Sequence, residues 1–205
     1  MKRLLAAALL LCAACSGPQV AFNPKFKDVK YRRVALAGFE GPAGEAASDI
    51  LAHELLGSGA DVVERGRLQS VLNEQRLGAS GALDPASVRK VGRLLGVDAL
   101  MLGSVTQYAQ PQSFLVTGTS SAAFVGQPAS SLGQGSVYTS APALGTPGAN
   151  ILTSAAVVGM TARLVDVETG SVVWSGRRTW EGFDVDSAMA SIAHSFAKSL
   201  TPLWR

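Results

Sequence analysis

Apolar and polar positions alternate along this chain in blocks that change period. Arg33-Val34-Ala35-Leu36-Ala37-Gly38-Phe39 is a nearly unbroken apolar run, the pattern of a strand buried on both faces, and Gly41-Pro42 ends it. From Ala43 to Leu56 the spacing becomes three and four, with Ala43, Ala47, Ile50, Leu51 and Leu55 on one helical face. Gly57 is placed to stop that helix as a left-handed cap. Asp61 to Glu64 predicts a short strand, and Gly66 to Arg76 a second helix with Leu68, Val71 and Leu72 inward. A third helix opens at Asp84-Pro85, with Asp as N-cap and Pro at the first position, and Gly96 closes it. Val88, Val91, Leu94 and Leu95 line its inner face, and Val97 to Tyr108 follows as a strand.

The C-terminal part reads as a hairpin and a helix. Ala155 to Val167 is a strand, Glu168-Thr169-Gly170 a turn, and Ser171 to Glu181 the returning partner. Val173, Ser175, Arg177 and Thr179 fall on one face of that partner; Val172, Trp174, Gly176, Arg178 and Trp180 fall on the other. Asp184 to Leu200 closes the chain as a helix, with Val185, Ala188, Met189, Ile192, Phe196 and Leu200 in a stripe of 3.6 period. Strands alternating with helices, then a hairpin and a helix, predict an α/β fold. It is a single domain, residues 32–205, with a mixed sheet and helices packed on it.

The N-terminus follows another plan. Lys2 and Arg3 precede an apolar run from Leu4 to Leu11, and Cys12-Ala13-Ala14-Cys15 follows. A cationic start, a short apolar core and small residues form a secretory signal. The run is too short to cross a bilayer, which takes ~20 helical residues. The small residues end in a cysteine, and the tetrapeptide resembles the lipobox of bacterial lipoproteins, although Cys12 stands where Leu is usual. The resemblance implies a signal peptide over 1–14 and acylation of Cys15, which becomes the first mature residue. An ordinary secretory signal cut nearby is the alternative. If Cys15 is acylated and Cys12 removed, no cysteine remains to form a disulfide, which suits an oxidising compartment. Several acyl chains on one residue give stable anchoring. Ser16, where an Asp would imply inner-membrane retention, points to the outer membrane. Residues 15–31, with Pro18, Asn23, Pro24 and several lysines, read as a lipidated tether without regular structure.

Composition narrows function mainly by exclusion. About 190 residues remain after the signal, enough for one domain with a real core. Losing Lys2 and Arg3 lowers the basic residues from 18 to 16 against 15 acidic ones, so the mature chain is nearly neutral. No basic run interleaved with aromatics points to nucleic acid. Charge is also distributed unevenly: between Asp98 and Arg163 there is no Asp, Glu, Lys, Arg or His. Within that stretch, 109–154 is an uncharged insertion rich in Gly, Ser, Ala and Pro. Its two readings are a flexible surface loop and a membrane β-hairpin. Phe114, Val116, Gly118, Ser120, Ala122 and Phe124 would share one face of a spanning strand, but that face is mostly small residues and Pro128, Pro142 and Pro147 punctuate the return. The loop is the preferred reading.

No spacing nominates catalytic chemistry. His53 and His194 each lie within a predicted helix without a second ligand at metal spacing, and both read as partly exposed helix residues. There is no Gly-x-Ser-x-Gly elbow and no phosphate-binding Walker loop. Gly57-Ser58-Gly59 reads as a helix stop and turn. Asp49, Asp61, Asp84 and Asp98 stand at element ends, where caps and turns use them. The expectation is a protein that is not an enzyme and holds no cofactor or metal.

Three segments carry a family resemblance. Val62-Val63-Glu64-Arg65 with Leu68 and Val71-Leu72-Asn73-Glu74 resembles the curli secretion protein CsgG and its relatives. Val91 to Val105, a helix leading into a strand that ends Gly103-Ser104-Val105, is similar to the next signature of that family. Arg163 to Gly170 is similar to the hairpin that follows. Their order and spacing make the match specific where each piece alone is ordinary. The family's α/β domain recurs in LpoB-type lipoproteins that form no pore, so the resemblance leaves function open. It implies an outer-membrane-anchored lipoprotein facing the periplasm, held in lipid through Cys15, that binds an envelope protein as an assembly, secretion or regulatory module. The alternative is a homo-oligomeric secretion channel to which each subunit gives one hairpin from 109–154. The second membrane hairpin of the pore-forming member has no room here, because Trp180-Glu181-Gly182-Phe183-Asp184 joins strand to helix directly.

Overall fold

A computed structural model describes residues 17–63, 85–117, 137–142 and 149–204. The predicted signal peptide, Cys15, the expected helix at 66–76 and the Asp84 cap lie outside the described residues. In chain order the strands are β1 (Gln19–Phe22), β2 (Arg33–Glu40), β3 (Asp61–Val63), β4 (Ala99–Ala109), β5 (Ser113–Thr117), β6 (Val137–Pro142), β7 (Ala149–Ser154), β8 (Ala156–Asp166) and β9 (Val172–Gly182). The helices are α1 (Gly44–Gly57), α2 (Pro85–Leu95) and α3 (Val185–Leu200). Six strands form one sheet in the order β1-β9-β8-β4-β2-β3. β2 pairs in parallel with β3 and β4, whereas β4, β8, β9 and β1 pair antiparallel, so the sheet is mixed as expected.

The continuous apolar runs follow from helices on both faces. Val34, Leu36, Ala99 and Met101 point to α1 and α3, and pack with Leu51, Leu55, Met189, Ile192 and Phe196. Ala35, Leu100 and Leu102 point the other way, to Val88, Val91 and Leu95 of α2. A strand covered on both sides has no face on which polar residues can stand. α3 matches its predicted stripe: Ala188, Met189, Ile192, Phe196 and Leu200 are all buried, and Asp184 caps its start by accepting from Ser187 N at 2.7 Å.

Five details differ from expectation. Leu94, expected on the inner face of α2 with Val88, Val91 and Leu95, is 51% exposed. The left-handed stop of α1 is Gly59, at φ +98°, and not Gly57, which is still helical. Gly59 N bonds Leu56 O and Ala60 N bonds Leu55 O, both at 3.1 Å, and this double closure needs its left-handed residue two positions later. Gly96 closes α2 in the same manner, at φ +64°, as predicted. A bulge where Leu164 faces Trp174 but Val165 faces Val172 puts Val173 into the core and leaves Val172 exposed, reversing those two positions. From Trp174 onward the predicted alternation of β9 holds.

The other two differences bear on function. The segment read as a tether carries β1, paired antiparallel with β9 from Gln19↔Arg177 to Phe22↔Trp174. It also carries Tyr31, buried and bridged to Trp204. Four residues pairing along an open sheet edge need no hydrophobic period, so composition did not reveal them. The insertion preferred as a loop carries β5, β6 and β7, a three-stranded antiparallel sheet in the order β5-β7-β6. Its β5–β7 ladder keeps the register of β4–β8: Ala109 faces Val157 and, four residues on, Ser113 faces Thr153. Ser154 N to Gln112 O at 2.8 Å and Gln112 N to Ser154 Oγ at 3.0 Å carry the ladder across the gap. β4–β5 and β7–β8 are therefore two arms of one long hairpin, whose pairing continues that of the core sheet.

Candidate functional site

The edge of the sheet where the N-terminal segment joins is built by β1, β9 and α3. α3 follows β9 after a two-residue turn and runs back across it, so residues alternating on β9 meet residues on successive turns of α3. Trp174, fully buried, stands edge-on to Phe196 with ring centroids 5.5 Å apart and planes at 76°. Above it Gly176 leaves the space the indole fills; a Cβ there would sit 2.5 Å from two Trp174 ring atoms. Next along the same face, the Arg178 guanidinium donates to Ser195 Oγ and lies 4.4 Å from the centroid of the Trp180 ring. Burial lowers the Arg178 guanidinium from its ordinary value, though an arginine stays cationic throughout the working range.

Beyond this buried stack the surface opens into a groove of about 780 Å³. Gly17, Pro18 and Val20 form one wall; Arg178 and Trp180 form the floor; Ser191, His194 and Lys198 of α3 form the other wall, with Glu54 of α1 at its back. The groove brings together a serine, a histidine and a glutamate. His194 Nδ1 lies 2.9 Å from Glu54 Oε2, the orienting half of a hydrolase triad. The nucleophile half differs: Ser191 Oγ donates to Ser187 O at 2.9 Å and Ser195 Oγ to Ser191 O, each one turn back on α3. Those hydroxyls are bound to the helix backbone and not to His194. His53 is exposed on α1. Among the described residues no group of three or more His, Cys, Asp or Glu side chains is placed to hold a metal ion.

A second polar cluster lies at the opposite end of the sheet. Asp98 Oδ2 accepts from Arg32 N at 2.8 Å and Arg33 N at 3.1 Å, the element-end role expected of it. Asp166, which sequence reasoning passed over, is buried; it accepts from Thr169 N at 2.7 Å, from Thr169 Oγ1 and from the Tyr31 hydroxyl at 3.3 Å. Burial, and then the Asp166 and Asp98 carboxylates, push the Tyr31 phenol well above its ordinary value. This cluster seals the hairpin turn against the N-terminal segment.

Sequence reasoning placed Arg178 and Trp180 on one face of their strand. It missed the groove, because α3 and β1 enclose it from 10 to 160 residues away. Cys15 lies two residues before the groove's first wall residue.

These features define a mixed-sheet α/β domain whose N-terminal segment is built into its edge. The family described as curli production assembly/transport component CsgG matches residues 18–191, and the chain belongs to that family. Among solved structures, it is similar to a PelC dodecamer from Paraburkholderia phytofirmans (20% identity, covering 92% of this chain and 98% of that one, TM-score 0.46). It is also similar to lipoprotein GNA1162 from Neisseria meningitidis (15%, covering 74% and 81%, TM-score 0.45). A third is the LpoB C-terminal domain from Salmonella enterica (11%, covering 76% and 87%, TM-score 0.44). No curated protein matches the chain.

Proposed function

We propose that this chain is a non-enzymatic lipoprotein of the cell envelope, acylated at Cys15 and held at the periplasmic face of the outer membrane. There it binds another envelope protein as an assembly, secretion or regulatory module. The observation that carries this reading is membership of an assembly/transport family over residues 18–191, directly behind a cationic and then apolar sequence followed by Cys12-Ala13-Ala14-Cys15. The bound serine hydroxyls of the groove support the non-enzymatic part. Cys15→Ser is expected to leave an unprocessed precursor and to abolish labelling by radioactive palmitate. A variant that still takes up label would refute the anchor.

A second reading, a channel subunit, is favoured by one observation: the hairpin formed by β4–β5 and β7–β8 keeps a single register beyond the core sheet. Replacing residues 113–153 by a short Gly/Ser linker tests it. The six core strands lie outside that segment, and loop closure varies only with the logarithm of length, so stability should change by ~1 kcal/mol. A channel subunit would then lose ring assembly and conductance in planar bilayers. An adaptor would keep binding its partner.

A further inference from the structure

β1 ends the six-stranded sheet, and its outer edge is open. Gln19, Val20, Ala21 and Phe22 are all exposed. Residues of an antiparallel strand turn their backbone N–H and C=O alternately toward the partner and away from it. Asn23 N donates to Val173 O at 2.8 Å, which sets the phase. Asn23, Ala21 and Gln19 therefore turn to β9, and Val20 and Phe22 present their backbone groups to the open side. Edge strands are commonly guarded by a charged side chain, a proline or a bulge. β1 carries no charge and no proline, and its ladder runs from Gln19↔Arg177 to Phe22↔Trp174 without a register shift. Apart from its length of four residues, nothing in β1 blocks a further strand.

The two faces of this edge differ. Val20 and Phe22 share the face of Trp174 and Gly176, and are 40% and 45% exposed, large apolar side chains left in water. Gln19 and Ala21 lie on the other face, beside Arg177 and Ser175. Arg177 is exposed there, and so is Arg163 of β8. The two are diagonal neighbours, because Arg177 faces Thr161 while Arg163 faces Ser175. Such positions stand ~7–8 Å apart. Neither guanidinium has a hydrogen bond or an ion pair among the described residues. Glu181, on the same face of β9, lies beyond the last β1 pair. The face behind the edge thus holds two adjacent cations without a counter-charge. A strand added outside β1 would run two strand spacings, roughly 10 Å, from β9. An arginine and a glutamate side chain span that distance between them, and the guanidinium fork matches a carboxylate.

We propose that β1 receives one extended segment of a partner protein, which adds a further strand to the sheet, with apolar side chains beside Val20 and Phe22 and acidic side chains turned to Arg177. This rests on the protein-binding role proposed above, and it gives the segment a chemistry: acidic and apolar residues in alternation. Main-chain bonds to Val20 and Phe22 supply affinity, and the two faces select the side chains.

The test uses the full-length protein in detergent and a short synthetic peptide alternating Glu and Val, with a peptide alternating Lys and Val as control. Fluorescence anisotropy of the labelled peptides reads binding, and amide hydrogen exchange reads its place. The Glu/Val peptide is expected to bind, to slow exchange at Val20 and Phe22, and to bind more tightly than the Lys/Val peptide. Val20→Pro removes one outward N–H and leaves the bonds of Gln19 and Ala21 to β9; proline is tolerated on an edge where its nitrogen faces solvent. It should weaken binding about tenfold, with unchanged thermal unfolding. N-methylation of alternate amides of the peptide should do the same with the protein untouched. Arg177→Glu, at an exposed position, should reverse the preference between the two peptides. No binding, equal binding of the N-methylated peptide, protection away from β1, or a preference for Lys/Val each overturns the proposal. Dimers of the free protein that Val20→Pro abolishes overturn it in favour of a second copy. Photo-cross-linkers at positions 20, 94 and 151 in cells separate this inference from the role it rests on. Protein captured only from the exposed positions 94 or 151 overturns the β1 site and leaves the binding role; protein captured from none of the three counts against both.

Discussion

Replacing Phe196 by alanine removes the ring at the centre of the inner face of α3. Phe196 is fully buried and meets the edge of Trp174 at 5.5 Å, and Trp174 is itself fully buried. Truncating a buried Phe costs ~3–5 kcal/mol, depending on how far the surroundings collapse into the space. Here collapse is resisted. Trp174 is held beneath Gly176, where there is no room for even a Cβ, and β9 is paired on both sides, by β8 and β1. The loss therefore falls toward the upper end of that range, and it includes the ~0.5–1.5 kcal/mol of the edge-on ring pair. Against a total stability of ~5–15 kcal/mol it is a large share. At ~2–4 °C per kcal/mol for a domain of this size, the melting temperature should fall by roughly 6–20 °C. Thermal and urea unfolding followed by far-UV circular dichroism read the shift, and near-UV dichroism reads the loosened Trp174. Phe183→Ala, at a 71% exposed position, is the control and should stay within ~0.5 kcal/mol of the parent. A Phe196→Ala protein that melts within ~2 °C of the parent, with unchanged near-UV signal, would refute the packing of α3 on β9.

Two further outcomes follow from the same geometry. Gly176→Val places carbon where a Cβ alone approaches two ring atoms of Trp174 to 2.5 Å and Phe196 to 3.2 Å; overpacking of this kind costs ~1–3 kcal/mol, measurable as a lowered urea midpoint. The Tyr31 phenol, 2% exposed and hydrogen-bonded to Asp166, holds its proton in the folded chain well above pH 10, where the unfolded chain releases it. Its contribution to stability is thus complete below pH ~10 and is lost as pH rises above that, at up to ~1.4 kcal/mol per pH unit. Urea midpoints compared with Tyr31→Phe between pH 8.5 and 11 should show the extra slope in the parent alone, and parallel slopes would contradict the burial of this hydroxyl.

The sequence by itself determined those elements whose burial is complete on a fixed period. The run Val34 to Phe39 and the stripe from Ala188 to Leu200 could be read because strands covered on both faces, and helices covered on one, impose their pattern residue by residue. Asp184 and Gly96 could be read because a helix end needs a side-chain acceptor, or a residue free to turn left-handed, at one position. The order of the family segments at 62–74, 91–105 and 163–170 identified the family for the same reason. Tertiary structure alone decided the rest. β1 carries no period, since its four residues are held by backbone pairing at a sheet edge; only its partner β9 reveals it. β5 and β7 take their register from β4 and β8, which lie in the core. Gly59 ends α1 in place of Gly57 because the closing bonds reach back to Leu55 and Leu56, and a bulge beside Leu164 moved Val173 inward. The groove of Arg178, Trp180 and Lys198 exists because α3 returns across β9 while the first residues of the chain close its open side. No local pattern encodes a surface assembled from opposite ends of the chain, because each of its residues meets the others only after the sheet has formed.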